Sequence, residues 1–202
     1  MAIKLTATAR LLKLARKQPI LRVRDLAAAE IHPEHLRRLY QQGVLERASR
    51  GVYRLVAAEY TEHLSLAEVA KRVPHGVICL LSALQFHGIG TQLPPDVWLA
   101  VARQAARPAS LNPRLRVVRL SGPAFSEGID KKQINGVVVQ VYCPAKTVVD
   151  CFKFRHKVGL EVALEALREG WRSRKVTMKE LVRFAKICRV GKVIRPYLES
   201  LV

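Results

Sequence analysis

Three residues at helical spacing carry side chains that can hydrogen-bond to the edges of DNA bases: Arg37, Arg38 and Gln41. An arginine fork matches guanine and a glutamine amide matches adenine in the major groove of the double helix. Glu34, one turn earlier, could accept a hydrogen bond from a cytosine amine or simply complement the positive end of a helix dipole. These residues predict a base-reading helix, and the alternative is an ordinary solvated face.

The segment over residues 33–42 has the features of an amphipathic helix that would present those side chains on one face. Pro33 suits a first helical position, and Gly43 suits the left-handed residue that ends a helix. Leu39 and Tyr40 each fall within about 60° of Leu36 around the helix, because successive residues turn by about 100°. We expect this stripe to face a hydrophobic core and the polar side chains to face outward.

The elements around this helix predict a winged helix-turn-helix. Residues 6–17 have the pattern of an amphipathic helix, residues 20–23 form an extended piece, and residues 26–30 form a short helix that Asp25 caps. Two strand-like pieces around residues 48–51 then predict a hairpin. Donors suited to the DNA backbone or the minor groove lie on the hairpin and near the start of the helix. They are His35, Arg47, Ser49 and Arg50.

The sequence DLAAAEIHPEHLRRLYQQGVLERASRGVYRL resembles the winged-helix segment of AbiEi-type antitoxins, the transcriptional regulators of type IV toxin–antitoxin systems. The matching features are the D-L-A-A helix, the stretch over residues 39–47 and the G-x-Y strand. Two later segments resemble the same family, ICLLSALQFHGIG through its S-A-L-x-x-H-G pattern and AKTVVDCFKFR through T-x-x-D. Because the three segments occur in the family's order, the resemblance touches both halves of the chain.

The resemblance implies an antitoxin that represses its own operon by binding operator repeats in double-stranded DNA. It also implies a functional partner, a toxin resembling a nucleotidyltransferase, with which the antitoxin need not form a stable complex. The chain departs from the family at His32, where such regulators often carry Ser or Thr as the helix cap. That departure concerns the cap and leaves the expected fold unchanged.

The pattern after residue 63 predicts a second domain of the α+β class. Helices are expected over residues 63–73, 77–87, 144–155, 160–171, 177–188 and 192–201, and strands over 96–102, 115–120, 128–134 and 136–142. Asn135-Gly136 is a strong signal for a hairpin between the last two strands. We therefore predict a winged helix-turn-helix domain over residues 1–57 and a mixed domain over residues 63–202, with a small antiparallel sheet and a helical C-terminus.

No catalytic or metal-binding set stands out, so the sequence predicts a protein that is not an enzyme and holds no metal or cofactor. Pro95-Asp96 could open a nuclease motif, but no Glu-x-Lys follows on the later strands. Ser82 and His87 lie about 140° apart around a helix, too far round to act as nucleophile and base. We expect His87 to pack at a helix end and Asp150 to bind a nearby backbone or arginine group. The four cysteines, at positions 79, 143, 151 and 188, are expected to be buried and reduced.

Positive charge dominates the composition, since 35 Lys and Arg residues against 16 Asp and Glu give a formal net charge of +19. Such an excess favours a polyanionic partner, first of all nucleic acid. No run of about 18 apolar residues is present to span a bilayer. Basic residues are threaded through the N-terminus rather than placed ahead of an apolar stretch, unlike a signal peptide. We expect a cytoplasmic protein without a membrane partner.

The basic excess continues at the C-terminus, where residues 171–202 contain nine Lys and Arg against two Glu. On the predicted helix over residues 177–188, Lys179, Arg183 and Lys186 lie opposite an apolar stripe. We expect these side chains to form an additional anion-binding surface, facing either DNA phosphates or an acidic partner, and a solvated face is the alternative.

Together these features favour a DNA-binding repressor that acts as an antitoxin. One alternative is a nucleic-acid enzyme whose winged helix only delivers a catalytic domain, in which Asp96 or Asp150 would act. Another is a winged helix used mainly for protein–protein contact. Turnover of labelled nucleic acid would favour the enzyme, and DNA affinity that ignores sequence would favour the protein-contact module.

Overall fold

The computed structural model describes residues 6–18, 20–49, 51–56, 63–106, 108 and 113–201. The chain divides into two compact units. The first contains residues 1–74 together with residues 133–139, and the second contains residues 75–132 and 140–202. None of the described helices has the length and apolar run that crossing a membrane requires.

The first unit has the element order of a winged helix-turn-helix. Its helices are α1 (Ala7–Lys17), α2 (Val23–Ala28), α3 (Pro33–Gln41) and α4 (Leu64–Arg72), and its strands are β1 (Ile20–Arg22), β2 (Leu45–Ser49) and β3 (Val52–Leu55). The strands form an antiparallel sheet of order β1-β3-β2. A buried apolar cluster joins α1, α2, α3, β1 and β2: Leu11, Ala15, Leu21, Leu26, Ile31, Leu36, Leu39 and Leu45. The predicted fold class, α+β with an N-terminal winged helix-turn-helix, is confirmed.

The second helix begins earlier than its sequence pattern suggests. The prediction of a helix over residues 26–30 with Asp25 as its cap is wrong, because α2 starts at Val23 and Arg22 is the N-cap residue. Asp25 lies inside the first turn, where its carboxylate accepts a hydrogen bond from the backbone N–H of Arg22 at 3.0 Å. A carboxylate in the first turn satisfies a free N–H group much as a cap does, so the two roles look alike in sequence.

Helix α4 lies in the first unit, although the sequence pattern assigns it to the second domain. Lys71 Nζ donates a hydrogen bond to Asp25 Oδ2 at 2.7 Å, and Arg54 Nη1 donates one to Glu68 Oε1 at 2.9 Å. These ion pairs tie α4 to α2 and to β3. The first of them joins residues 46 positions apart, so local sequence periodicity carries no sign of it.

The second unit packs helices against a further sheet. Its strands are β4 (Val77–Ile78), β5 (Val97–Ala102), β6 (Leu115–Leu120), β7 (Ile129–Ile134) and β8 (Val137–Tyr142), the last two meeting at a turn that groups with the first unit. Its helices are α5 (Leu80–His87), α6 (Pro123–Ser126), α7 (Pro144–Lys153), α8 (Arg155–Val158), α9 (Leu160–Arg172), α10 (Met178–Ile187) and α11 (Gly191–Glu199). The described strands have the order β6-β5-β4-β8-β7.

The prediction of an antiparallel sheet is wrong, because the pairing is mixed. β5 pairs in parallel with β6, while β4 pairs in parallel with β8 and antiparallel with β5. The sequence pattern merges β4 into the helix over residues 77–87, since both residues of this short strand are buried and no alternation marks it. The predicted turn between β7 and β8 is confirmed, with φ of 48° at Asn135 and 70° at Gly136.

Candidate nucleic-acid interface

Local hydrogen bonds fix both ends of α3. At its start His32 Nδ1 accepts a hydrogen bond from the N–H of Glu34 at 3.3 Å, so this histidine caps the helix. At its end the N–H of Val44 binds the carbonyl oxygen of Leu39 at 3.0 Å, and Gly43 has φ of 70°. This is a Schellman motif, in which the predicted glycine takes the left-handed position.

The turn between α2 and α3 closes in the same way with a residue that is not glycine. The N–H of Ile31 binds the carbonyl oxygen of Leu26 at 3.0 Å, and Glu30 takes the left-handed position with φ of 53°. Arg10 of α1 donates a hydrogen bond to the carbonyl oxygen of Ala29. These contacts set the direction of α3 relative to the two preceding helices.

The apolar face of α3 is narrower than its sequence suggests. Leu36 and Leu39 are buried in the core of the first unit, but the prediction that Tyr40 shares this core is wrong, since it is 45 % exposed. Its ring lies edge-on to that of Tyr53, with centroids 5.9 Å apart. The side of α3 that carries Tyr40 faces β3, and the ring of Tyr53 covers Tyr40 only in part.

The residues predicted to read bases all lie exposed on α3: Glu34, Arg37, Arg38 and Gln41. Within the part of the chain that the structure describes, no intramolecular hydrogen bond or ion pair occupies their side chains. A helix face with unpaired arginine guanidinium groups and a glutamine amide can donate hydrogen bonds to base edges in a major groove. The arrangement supports a DNA-reading role, and the individual base contacts stay predictions.

The hairpin of β2 and β3 forms the wing. Arg47 is exposed on β2 opposite Tyr53, and the register shifts between Arg47 and Ser49. Gly51 has φ of 75°, which favours glycine at the turn. Arg50 and the side chain of Ser49, both predicted to contact DNA, lie outside the described residues.

His35, predicted as a backbone contact, is tied to α1. Its Nδ1 atom lies 3.4 Å from Thr8 Oγ1 and the residue is half-buried, so Nε2 is the ring atom left to contact a phosphate. Exposed basic residues on α1 and α2, which were not predicted as site residues, extend the positive surface of this unit: Arg10, Lys13, Arg16 and Arg24. In the sequence, the basic residues spread through the amphipathic helix α1 were the feature that could have indicated this surface.

Residues 9–56, which span α1 to β3, match the family model described as "Transcriptional regulator, AbiEi antitoxin". This stretch, the AbiEi segment, is similar to that antitoxin family. The predicted resemblance is therefore confirmed over the winged helix-turn-helix, and the match supports a DNA-binding regulator of the antitoxin class. The two later resemblances lie outside the matched AbiEi segment and stay predictions.

A solved structure shows the fold beyond the AbiEi segment. The RV2827C protein from Mycobacterium tuberculosis is 15 % identical in sequence, with a TM-score of 0.62 over 90 % of this chain and 72 % of that chain. At this identity the likeness shows the fold alone. No curated protein matches the sequence.

Outside the AbiEi segment, Asp150 is enclosed in the protein interior. It forms an ion pair with Lys146 inside α7, and the two residues are 1 % and 0 % exposed. Cys188 Sγ lies 3.3 Å from its other carboxylate oxygen, and the Lys146 ammonium lies 4.1 Å from the ring centroid of Tyr142. Burial raises the pKa of Asp150, an effect that the charge of Lys146 opposes. The prediction of a backbone or arginine partner for Asp150 is thus wrong, because lysine and thiol groups meet it.

The other side chains considered for catalysis hold structural positions. Ser82 Oγ accepts a hydrogen bond from the N–H of Trp98 at 2.9 Å, while His87 Nε2 lies 2.7 Å from the carbonyl oxygen of Tyr142. They therefore anchor α5 to β5 and β8 instead of meeting each other. Asp96 accepts a hydrogen bond from Arg116 Nε at 2.9 Å. Among the described residues, no group of three His, Cys, Asp or Glu side chains could hold a metal ion.

The cysteines outside the AbiEi segment form no disulfide. Cys79, Cys151 and Cys188 are buried as predicted, and Cys143 is half-buried at the start of α7. Burial raises the pKa of Cys188 to about 12, so this thiol stays protonated at neutral pH. Such thiols act as small apolar side chains.

The basic side chains predicted on α10 do not share one environment. Arg183 forms an ion pair with Glu127, so its charge already has a partner. Lys179 and Lys186 are exposed, and nothing in the described part of the chain pairs with them. The free positive charge of α10 is therefore carried by the two lysines.

Proposed function

We propose that this chain is a transcriptional repressor that acts as the antitoxin of a type IV toxin–antitoxin system in the cytoplasm. It represses its own operon by binding operator repeats in double-stranded DNA. It counteracts a toxin resembling a nucleotidyltransferase without needing a stable complex with it. The AbiEi match over residues 9–56, joined to the free arginines on α3, is the observation that carries this proposal.

Recognition of the operator depends on α3 and the wing. Arg37, Arg38 and Gln41 contact base edges in the major groove, with Glu34 accepting from a base amine at the helix start. The wing contacts the backbone or the minor groove through Arg47, Ser49 and Arg50, and His35 adds a phosphate contact. Burial of Leu36 and Leu39 supports this mode, because it keeps the rotation of α3 fixed.

The chain acts by binding and not by catalysis. Asp150 is closed off from solvent and paired with Lys146, so it lacks the access that a metal-bound substrate requires. Asp96 is occupied by Arg116, and Ser82 binds backbone groups. These contacts support a structural role for each residue that the enzyme alternative would use.

A DNA-binding titration tests the regulatory proposal. Fluorescence anisotropy would compare the duplex upstream of the chain's own gene with a shuffled duplex of the same composition. The variant Arg37→Glu/Arg38→Glu is expected to lose preferential binding to the upstream duplex. Lys131→Glu/Lys132→Glu, which makes the same change of net charge at exposed positions on β7, is expected to keep it. Unchanged affinity of the α3 variant for both duplexes would overturn the proposal.

The antitoxin role needs a separate test. A nucleotidyltransferase-like reading frame beside the gene would be expressed alone and together with this chain. Growth restored by the chain is the expected result. Continued arrest, with the chain present and folded, would leave a repressor without antitoxin activity.

A further inference from the structure

An apolar groove lies between α10 and α11 in the second unit. Its volume is about 590 Å³, within the range of ligand-binding clefts. The apolar residues that line it come from both helices: Met178, Val182, Ala185, Gly191, Ile194 and Leu198. Val182 is 54 % exposed, which is unusual for a large aliphatic side chain beside a core. The groove is therefore an apolar surface with no described part of the chain covering Val182.

Positive charge borders this groove. Lys186, Arg195 and Glu199 line it directly, and three more basic residues are exposed on the same two helices and the turn between them: Lys179, Arg189 and Lys192. Among the described residues, no hydrogen bond or ion pair engages the side chains of those three or of Lys186.

The two acidic residues of these helices are already occupied. Glu199 accepts a hydrogen bond from Arg195 at 2.7 Å, and Glu180 accepts hydrogen bonds from Thr177 in a capping box. Among the described residues, α10 and α11 thus leave no unpaired carboxylate to balance the free lysines beside the groove.

We propose that this groove docks an acidic amphipathic α-helix from another protein. Apolar side chains at i, i+3, i+4 and i+7 would enter the groove, and flanking Glu or Asp side chains would meet the lysines. The space beside Gly191 is open, since a Cβ atom at this position would meet no atom within 4 Å.

The groove suits three other kinds of occupant less well: a second copy of this chain, DNA and a small ligand. A second copy of this chain, with a net charge of +19, would bring the same basic helices face to face. DNA phosphates would match the lysines but would leave the apolar side chains of the groove exposed to water. A small ligand needs a few fixed polar groups to orient it, whereas the charged side chains here stand on exposed, flexible stems.

The test uses the full chain and a fluorescein-labelled synthetic peptide of about 18 residues, five helical turns long. The peptide carries Leu at i, i+3, i+4 and i+7 and Glu at most other positions. A scrambled peptide of the same composition has no apolar face. We expect saturable one-to-one binding of the patterned peptide and affinity for the scrambled peptide weaker by at least about tenfold.

Two groove variants and one matched control locate the site. Val182→Glu places a carboxylate in the groove, and Gly191→Met fills it from a position with open space. Each is expected to weaken binding of the patterned peptide by about tenfold or more. Leu93→Glu makes the same change of charge at a residue that is 78 % exposed and does not line the groove, and it is expected to bind normally.

Several results would overturn the proposal. Equal affinity for both peptides, or unchanged affinity in both groove variants, would show that net charge alone attracts the peptide. A dimer in sedimentation that Val182→Glu dissociates would make a second copy the occupant. Because Arg37→Glu/Arg38→Glu leaves the groove intact, it is expected to bind the peptide normally even when DNA binding is lost. Failure of the docking proposal and failure of the regulatory one are therefore distinguishable.

Discussion

Lys146 and Asp150 form an ion pair that is closed off from water within α7. Removing a charge from water costs several kcal/mol, and the partner charge offsets this cost only while both are present. Cys188 and the ring of Tyr142 complete the surroundings of the pair. At the scale of the residue, the interior charges are therefore neutralised locally, while Arg37 and Arg38 stay free.

Breaking the buried pair is expected to destabilise the second unit. Asp150→Leu leaves the ammonium of Lys146 unpaired and is expected to lower the free energy of unfolding by about 3–5 kcal/mol. The double variant Lys146→Met/Asp150→Leu replaces both charges with apolar side chains and is expected to recover most of that loss. Urea unfolding followed by circular dichroism measures both. A double variant as unstable as the single one would contradict this account.

Arg38 is expected to discriminate between DNA sequences. Arg38→Ala should cost about 1–3 kcal/mol in binding to the operator and much less in binding to random duplex, because a bidentate base contact is lost. Competition titrations with the two duplexes measure the difference. Lys186→Ala on α10 provides the control with the same loss of charge. Equal losses on both duplexes would reduce Arg38 to a phosphate contact.

The turn between α2 and α3 depends on a left-handed residue that carries a side chain. Glu30 has φ of 53°, a conformation that costs a residue with a Cβ about 1–2 kcal/mol. Glu30→Gly is therefore expected to stabilise the first unit by up to about 1 kcal/mol. Glu34→Gly, in the ordinary helix of α3, should destabilise it by a similar amount. Urea unfolding curves in which both variants shift the same way would contradict the strain at Glu30.

The ion pair of Lys71 and Asp25, which joins α4 to α2, makes the stability of the first unit depend on pH. Burial alone would raise the pKa of Asp25, but hydrogen bonds from Lys71 and from the N–H of Arg22 outweigh it and hold that pKa below its ordinary value of 3.8. The folded state thus favours the carboxylate. Its stabilisation is complete above the ordinary value and is lost as the pH falls through the folded-state pKa.

Asp25→Asn is expected to lower the free energy of unfolding at neutral pH by about 1–3 kcal/mol, because charged hydrogen bonds are lost. The gap between the wild-type chain and the variant should close as the pH falls through the folded-state pKa of Asp25. Urea unfolding at a series of pH values measures it, with Asp130→Asn as a control at a half-buried aspartate without such a tie. If the difference in free energy of unfolding persists at pH values below the folded-state pKa of Asp25, the ion pair is not its source.

At the scale of the whole molecule, net charge governs how DNA affinity depends on salt. If the winged helix neutralises about five phosphates, log Kobs should fall against log salt with a slope of about −4 to −5. Lys179→Ala/Lys186→Ala should leave this slope unchanged, since the groove beside α10 suits an acidic helix. A slope reduced by about 1 for each lysine would instead place α10 on DNA phosphates.

Local patterns in the sequence determined much of the first unit. Helix periodicity and helix-end residues decide three features of α3. The helix ends just before Gly43, Leu36 and Leu39 face the core, and Arg37 and Arg38 are exposed. Such signals lie within a few positions of one another, so the sequence shows them directly. The hairpin turn at Asn135 followed from the same kind of signal.

Only the tertiary structure decided where long-range partners meet. It placed α4 against α2 through Lys71, inserted β4 to make the sheet mixed, buried the neighbouring pair of Lys146 and Asp150 within α7, and exposed Val182 beside free lysines. Each of these depends on residues far apart in the chain or on which face a neighbour covers. Periodicity records the spacing of a residue along its own element, whereas burial and charge pairing are settled by the elements packed against it.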